Sequence, residues 1–258
     1  MPVAASLYYF SHLEEEHLRP PVLLIHGAGG HHLYWPPEIR RLTGQRIIAP
    51  DLPGHGKSDG VGRQSVVDYV QCILDLLDAL YLHKAVIIGH SMGAAIALTL
   101  ALDYPRRVLG LGLIGGGARL RVSPDLIQNT ASPSTLPHAL QTIAEMVFSP
   151  KVEPHLKQLA MQRMAATRST VLNGDFLACD HFDVMARLSK IRMPALVMCG
   201  ADDRMAPLRY SEYLSVSIKH AQLVVIPDAG HMVMIEKPKE VAGALSEFID
   251  GFNYRPGE

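Results

Sequence analysis

Several things are scarce in this 258-residue chain, and each scarcity excludes something. There are three cysteines, Cys72, Cys179 and Cys199, far apart and odd in number, so no disulfide framework is indicated. Each sits among apolar neighbours, as a buried free thiol does, and a reducing cytoplasmic setting is expected. None falls at a glycine-bounded turn, which argues against a cysteine nucleophile. Charge bias is also missing: 24 Lys and Arg against 25 Asp and Glu leave a net charge of -1, which favours neither nucleic acid nor an anionic membrane as partner. A small-molecule substrate is the expectation, and the composition is silent on oligomeric state. No apolar run reaches the roughly 18 residues of a membrane span. The opening "MPVAASLYYFSHLEEEHLRPP" lacks the basic head and apolar run of a signal peptide and turns acidic at Glu14 to Glu16.

What is present is an α/β pattern. Short β-rich apolar runs alternate with longer helical stretches, which implies a mostly parallel central sheet flanked by helices. The runs are "PVLLIHG" (21–27), "RIIAPD" (46–51), "KAVIIGH" (84–90), "VLGLGLIGG" (108–116), "PALVMCG" (194–200) and "AQLVVIP" (221–227), with "SLYYFSH" as an edge strand. Between them, 65–80 places Val66, Val67, Val70, Ile73, Leu74, Leu77 and Leu80 on one helical stripe, with Ser65 as N-cap. "MGAAIALTLALDYP" reads as a buried helix stopping before Pro105, and "KPKEVAGALSEFIDGF" as a closing amphipathic helix.

The alternation breaks between Arg119 and Arg192. That stretch has no convincing strand, only short helical pieces separated by "SPD", "SPSTLP", "SPKVEP" and "NGD". It reads as a helical cap (119–192) inserted after the strand at Val108 to Gly116, with 1–118 and 193–258 forming the core. Most cap apolar residues should hold the cap together. Phe148, Met164 and Phe182 are candidates to face a ligand.

Gly89-His90-Ser91-Met92-Gly93 follows a strand and opens a helix, the setting in which GxSxG carries meaning. Such a turn forces the serine into strained dihedrals with its hydroxyl outward, and the Met92 N–H at the helix start can stabilise an oxyanion. A serine needs a base, and the base an orienting acid. The ends of two later strands supply both, in "ADDRMAP" and "DAGHMVMIEKP". In a parallel sheet these ends share one edge, so Ser91, Asp203 and His231 converge.

With "HGAGG" (26–30), "DLPGHGKSDG" (51–60), "GHSMG" (89–93), "GADDRMAP" (200–207) and "AGHMVMIEKP" (229–238) in this order, nearly the whole chain resembles the α/β-hydrolase fold enzymes, serine carboxylesterases in particular. The resemblance implies a serine nucleophile, an aspartate acid three residues beyond the strand-ending glycine and a histidine base. It therefore selects Asp203 over Asp202. It also implies Ala28, after His-Gly, as second oxyanion donor beside Met92, with Gly29 the alternative should the loop shift by one residue. His31 and Trp35, just past this loop, are candidates to line the pocket entrance. His26, His55 and His90 read as supporting residues. A metal site from His26, His31 and His32 lacks helical spacing and a partnering carboxylate, and no cofactor is expected.

Dehalogenases and epoxide hydrolases of this fold carry aspartate where Ser91 stands, and are disfavoured. The expected reaction is hydrolysis of carboxylic esters of short to medium acyl chain through an acyl-enzyme. Two alternatives stay open: hydrolysis of a carbon–carbon bond in a ring-cleavage product, and a low-turnover small-ligand binding protein on the same fold.

Overall fold

The computed structural model describes residues 2–12, 19–252 and 254. The chain begins with β1 (Val3–Ala4), β2 (Leu7–His12), β3 (Val22–Ile25), α1 (Pro37–Arg40) and β4 (Ile47–Pro50). There follow α2 (Val66–Ala79), β5 (Ala85–His90), α3 (Met92–Asp103) and β6 (Val108–Ile114). Four helices then come in succession: α4 (Pro124–Thr130), α5 (Leu136–Val147), α6 (Pro154–Ala165) and α7 (Ser169–Asp180). The chain closes with β7 (Ala195–Gly200), α8 (Leu208–Ser217), β8 (Ala221–Ile226), α9 (Val233–Glu236) and α10 (Pro238–Asp250).

The strands form one eight-stranded sheet in the order β1-β2-β4-β3-β5-β6-β7-β8. From β4 to β8 all pairings are parallel, while β1 and β2 join antiparallel. Central strands β3, β5 and β7 are buried at every position, which is why they read as unbroken apolar runs. Their alternate residues serve two different cores. Leu23 and Ile25 pack with α2 and α3, whereas Val22 and Leu24 pack with α1 and α10. At the far edge, β8 exposes Leu223 and Val225 despite its apolar sequence, because no strand lies beyond it.

Helix α2 starts as expected, with the Ser65 hydroxyl accepting the Val67 N–H. Its buried stripe includes the expected Val66, Val70, Ile73, Leu74 and Leu77 but differs at other positions. Val67 is 62% exposed, and Tyr69 and Leu76 are buried instead, since the inward face is centred on Val66, Val70, Ile73 and Leu77.

Helices α4 to α7 leave and return through a single neck. The Leu120 N–H donates to the Phe182 carbonyl and the Val184 N–H to that of Ala118, around a bridge between Arg119 and Asp183. Of the four expected breaks in this stretch, three lie between or at the starts of helices. The fourth, "NGD", does not break anything. Asn173, Gly174 and Asp175 lie inside α7, where Gly174 lets the helix pack against the Arg63 carbonyl, 2.7 Å from where a Cβ would stand. No described helix is long and apolar enough to cross a membrane.

Candidate active site

The turn from β5 into α3 sets the first residue of the site. Ser91 has φ 54° and ψ -116°, a left-handed conformation that costs a residue with a side chain about 1–3 kcal/mol. Backbone bonds hold it there. The Ser91 N–H donates to the Ile114 carbonyl at 2.9 Å, and the Ser91 carbonyl accepts from Ala94 and Ala95 at 2.9 and 3.3 Å. The same tightness requires glycine at 89, because a Cβ there would lie 2.0 Å from the Gly93 carbonyl oxygen. The Met92 N–H, first in the helix, has no hydrogen-bond acceptor among the described residues.

His231 follows β8, and Asp203 follows β7. His231 Nδ1 donates to Asp203 Oδ2 at 2.8 Å, and both side chains are buried. The other Asp203 oxygen accepts the N–H groups of Met205 and Ala206 at 2.9 and 2.8 Å, which fixes the carboxylate. Asp202 turns elsewhere and accepts the Ser149 hydroxyl at 2.7 Å. His90 donates from Nε2 to the His231 carbonyl at 2.9 Å, and burial holds its pKa well below the ordinary value, so it stays neutral. Glu236, inside the quoted "AGHMVMIEKP", has an unforeseen task. Its carboxylate receives the N–H groups of Gly230 and Ser149, both at 3.0 Å, securing the loop before His231.

The loop after β3 is pinned on all sides. His26 donates from Nδ1 to the Gly27 carbonyl at 2.8 Å and accepts the Leu52 N–H at Nε2 at 3.0 Å, so it must be neutral. Burial agrees, lowering its pKa to about 3. The Gly30 N–H also reaches the Gly27 carbonyl, at 3.0 Å. Gly29 gives its N–H to Asp175 Oδ2 at 2.8 Å, and its carbonyl accepts the Thr167 hydroxyl at 3.2 Å. Ala28, which lines the cavity beside Ser91, keeps an N–H with no acceptor among the described residues.

One cavity collects these pieces. Gly27, Ala28, His90, Ser91 and His231 line it on the sheet side, and Ile143, Val147, Met164, Phe176 and Cys179 on the helical side. Leu120, Val122, Met205, Tyr210 and Met232 make the remaining wall mostly apolar, and Arg121 is its one arginine among the described residues.

Of the expected ligand-facing residues, Met164 alone lines this cavity. Trp35 is fully buried on the α1 and α10 side of the sheet, packed with Val22, Leu24 and Ile39. Phe182 belongs to the core beneath α2 and α3, and Phe148 is packed among the helices of the insertion. Gly29 lies behind the loop against Leu172 and Met164, and His31 accepts the Leu33 N–H in the next turn. The fold also brings a carboxylate to His31 and His32 that the spacing did not reveal, with ligand atoms of Asp51 and both histidines within 4.8 Å of one another. Asp51 is already engaged as a loop anchor, accepting from His32 N, His32 Nδ1 and Lys57 N at 2.7, 2.8 and 2.8 Å.

Comparison with known proteins places this geometry in a family. The family model described as alpha/beta hydrolase fold matches residues 20–238, and the chain belongs to that family. It is 32% identical over 251 residues to the 2-hydroxy-6-oxo-6-phenylhexa-2,4-dienoate hydrolase of Burkholderia cepacia, covering 87% of this chain and 86% of that protein. It is 29% identical to the dihydrolipoyllysine-residue acetyltransferase component of the acetoin cleaving system of Pseudomonas putida, over 89% of this chain but 63% of that protein. Among solved structures, a thermophilic esterase from Thermogutta terrifontis superposes with a TM-score of 0.85 at 26% identity, covering 95% of this chain and 93% of that one. The protein is therefore a hydrolase of this superfamily.

Proposed function

We propose that the protein is a serine hydrolase of carboxylic esters with short to medium acyl chains, using Ser91 as nucleophile, His231 as base and Asp203 as the acid that orients it. The observation that carries this reading is the 2.8 Å bond from His231 Nδ1 to Asp203, with His231 and Ser91 lining one apolar cavity. Asp203 holds His231 with Nδ1 protonated, which leaves Nε2 as the basic nitrogen.

In the reaction, Ser91 Oγ attacks the ester carbonyl carbon while its proton passes to His231 Nε2. The oxygen of the tetrahedral intermediate accepts hydrogen bonds from the Ala28 and Met92 N–H groups, neither of which has an acceptor among the described residues. Collapse breaks the bond to the alcohol, which leaves with the proton from His231. Water, deprotonated by His231, then attacks the acyl-enzyme, and collapse of the second intermediate releases the acid and returns the proton to Ser91. Residues 119–192 act as a cap in this reading, and their apolar residues face the acyl chain. A fluorophosphonate probe should label Ser91, p-nitrophenyl butyrate should give a burst, and Ser91→Ala should abolish both.

A second reading has its own support. Arg121 at the cavity suits a carboxylate-bearing substrate, and the Burkholderia relative is named for a 2-hydroxy-6-oxo dienoate. Turnover of a vinylogous diketone acid, with simple esters untouched, would favour carbon–carbon hydrolysis. Ligand binding without turnover of either class would favour a binding protein.

A further inference from the structure

Asp175 is a buried carboxylate that takes no part in the reaction above, and its surroundings are unusually complete. Oδ1 accepts the Tyr69 hydroxyl at 2.5 Å, and Oδ2 accepts both the Gly29 N–H and His55 Nε2 at 2.8 Å. His55 donates from its other nitrogen to the Pro53 carbonyl at 3.1 Å. A carbonyl can only accept, so Nδ1 carries a proton. Burial works against a charge on His55, but the Asp175 charge and hydrogen bond prevail and raise its pKa, which favours a proton on Nε2 as well. Three donors thus converge on one anion with no solvent exposure.

The geometry points to a consequence for catalysis. We propose that Asp175 is a positioning residue for the oxyanion loop: from α7 it holds the Gly29 N–H, and thereby fixes the direction of the neighbouring Ala28 N–H toward the intermediate. Thr167, just ahead of α7, holds the Gly29 carbonyl, so both polar backbone groups of Gly29 are tied to the helical insertion. The inference rests on the serine-hydrolase reading and adds what that reading lacks, a link by which the insertion sets the geometry of the oxyanion site. A short donor displaced by a fraction of an ångström stabilises the oxyanion less while leaving ground-state binding nearly intact.

The test compares Asp175→Asn, Thr167→Val and Asn173→Ala, with catalysis expressed per fluorophosphonate-titrated site. Asn173 lies on the same helix and ties it to the Ile127 carbonyl and Thr130, with no bond to the loop, so its loss controls for a loosened insertion. Asp175→Asn should lower kcat roughly 10- to 100-fold with KM within about threefold. Thr167→Val should act in the same direction more weakly, and it carries the test if Asp175→Asn does not fold. The Asn173→Ala control should keep kcat per site within about twofold. Amide exchange adds a readout independent of turnover, in which Gly29 should exchange at least about tenfold faster in Asp175→Asn. Unchanged exchange at Gly29, a loss carried by KM, or equal kcat losses in the variants and the control would each overturn the positioning role. Failure of the unmodified protein to label at Ser91 would overturn the hydrolase reading and, with it, the role in catalysis; exchange at Gly29 would still report the tie, so the two failures stay distinct.

Discussion

Asp203 and Asp202 are neighbours in sequence with separate partners: the first accepts from His231 at 2.8 Å, the second from the Ser149 hydroxyl at 2.7 Å. Substituting them should therefore give unequal results. Asp203→Asn presents an amide that no longer fixes the His231 tautomer, and kcat for p-nitrophenyl butyrate should fall by about three to four orders of magnitude. Asp202→Asn keeps an acceptor for Ser149 and should stay within about tenfold. Equal losses would show that the acid is wrongly assigned.

The nucleophile turn leads to a stability prediction. At Gly89 the obstacle to a side chain is backbone, the Gly93 carbonyl at 2.0 Å from the Cβ position, and neither β5 nor α3 can move without opening the core. Gly89→Ala should cost several kcal/mol, about as much as the larger overpacking penalties. Thermal denaturation of Gly89→Ala beside Ser91→Ala separates the effects. Ser91→Ala should be inactive yet as stable as the unmodified protein or more so.

Histidines that folding takes wholly or partly out of water give the protein an acid limit. His26 is lowered to about 3 and His31 to about 4, both first of all by burial, and His90 is lowered as well. Below the unfolded value of about 6.5 the unfolded chain binds protons that these folded histidines refuse, so stability falls with falling pH. For His26 alone the slope reaches about 1.4 kcal/mol per pH unit between roughly 6.5 and 3. His55 has the opposite sign. Burial alone would lower its pKa, but the Asp175 charge and hydrogen bond prevail and raise it. It is protonated in both states below 6.5, and the stability it contributes is lost only as pH rises through its folded value. Urea midpoints from pH 7 to pH 4 should decline steadily, and His26→Gln should flatten the decline. A midpoint independent of pH in that range would contradict these assignments.

Arg121 predicts how substrate charge is treated. Among the described residues it is the one arginine lining the cavity, with Nη1 donating to the Asp180 carbonyl at 3.0 Å and further donors left over. Arg121→Met should raise KM for a monoester of a dicarboxylic acid about tenfold while leaving neutral p-nitrophenyl esters within about twofold. Equal effects on both substrates would assign Arg121 to structure alone.

Much of this was legible in the sequence. Strands buried on both faces show themselves as apolar runs, and the residues at their C-terminal ends converge because parallel strands share an edge, which is how Ser91, Asp203 and His231 could be named together. Long-range packing was not legible. Nothing near Trp35 tells which face of the sheet it covers, and an aromatic residue past the loop after β3 suits the cavity and the α1 side equally well. "NGD" reads as a turn because asparagine, glycine and aspartate favour turns locally. In the fold, contact with Arg63 and three donors to Asp175 outweigh that preference, and the residue that anchors the loop after β3 lay concealed in an expected break. Only a weak signal was available: an aspartate spaced among the apolar residues Val171, Leu172, Phe176 and Cys179 of one helix.

The most direct test of the central claim is stoichiometric labelling by a fluorophosphonate, followed by peptide mapping. One label per chain on Ser91, lost in Ser91→Ala and strongly slowed in Asp203→Asn, is the predicted result. A fully folded protein that takes no label at Ser91, or takes it equally well in Asp203→Asn, would contradict the account.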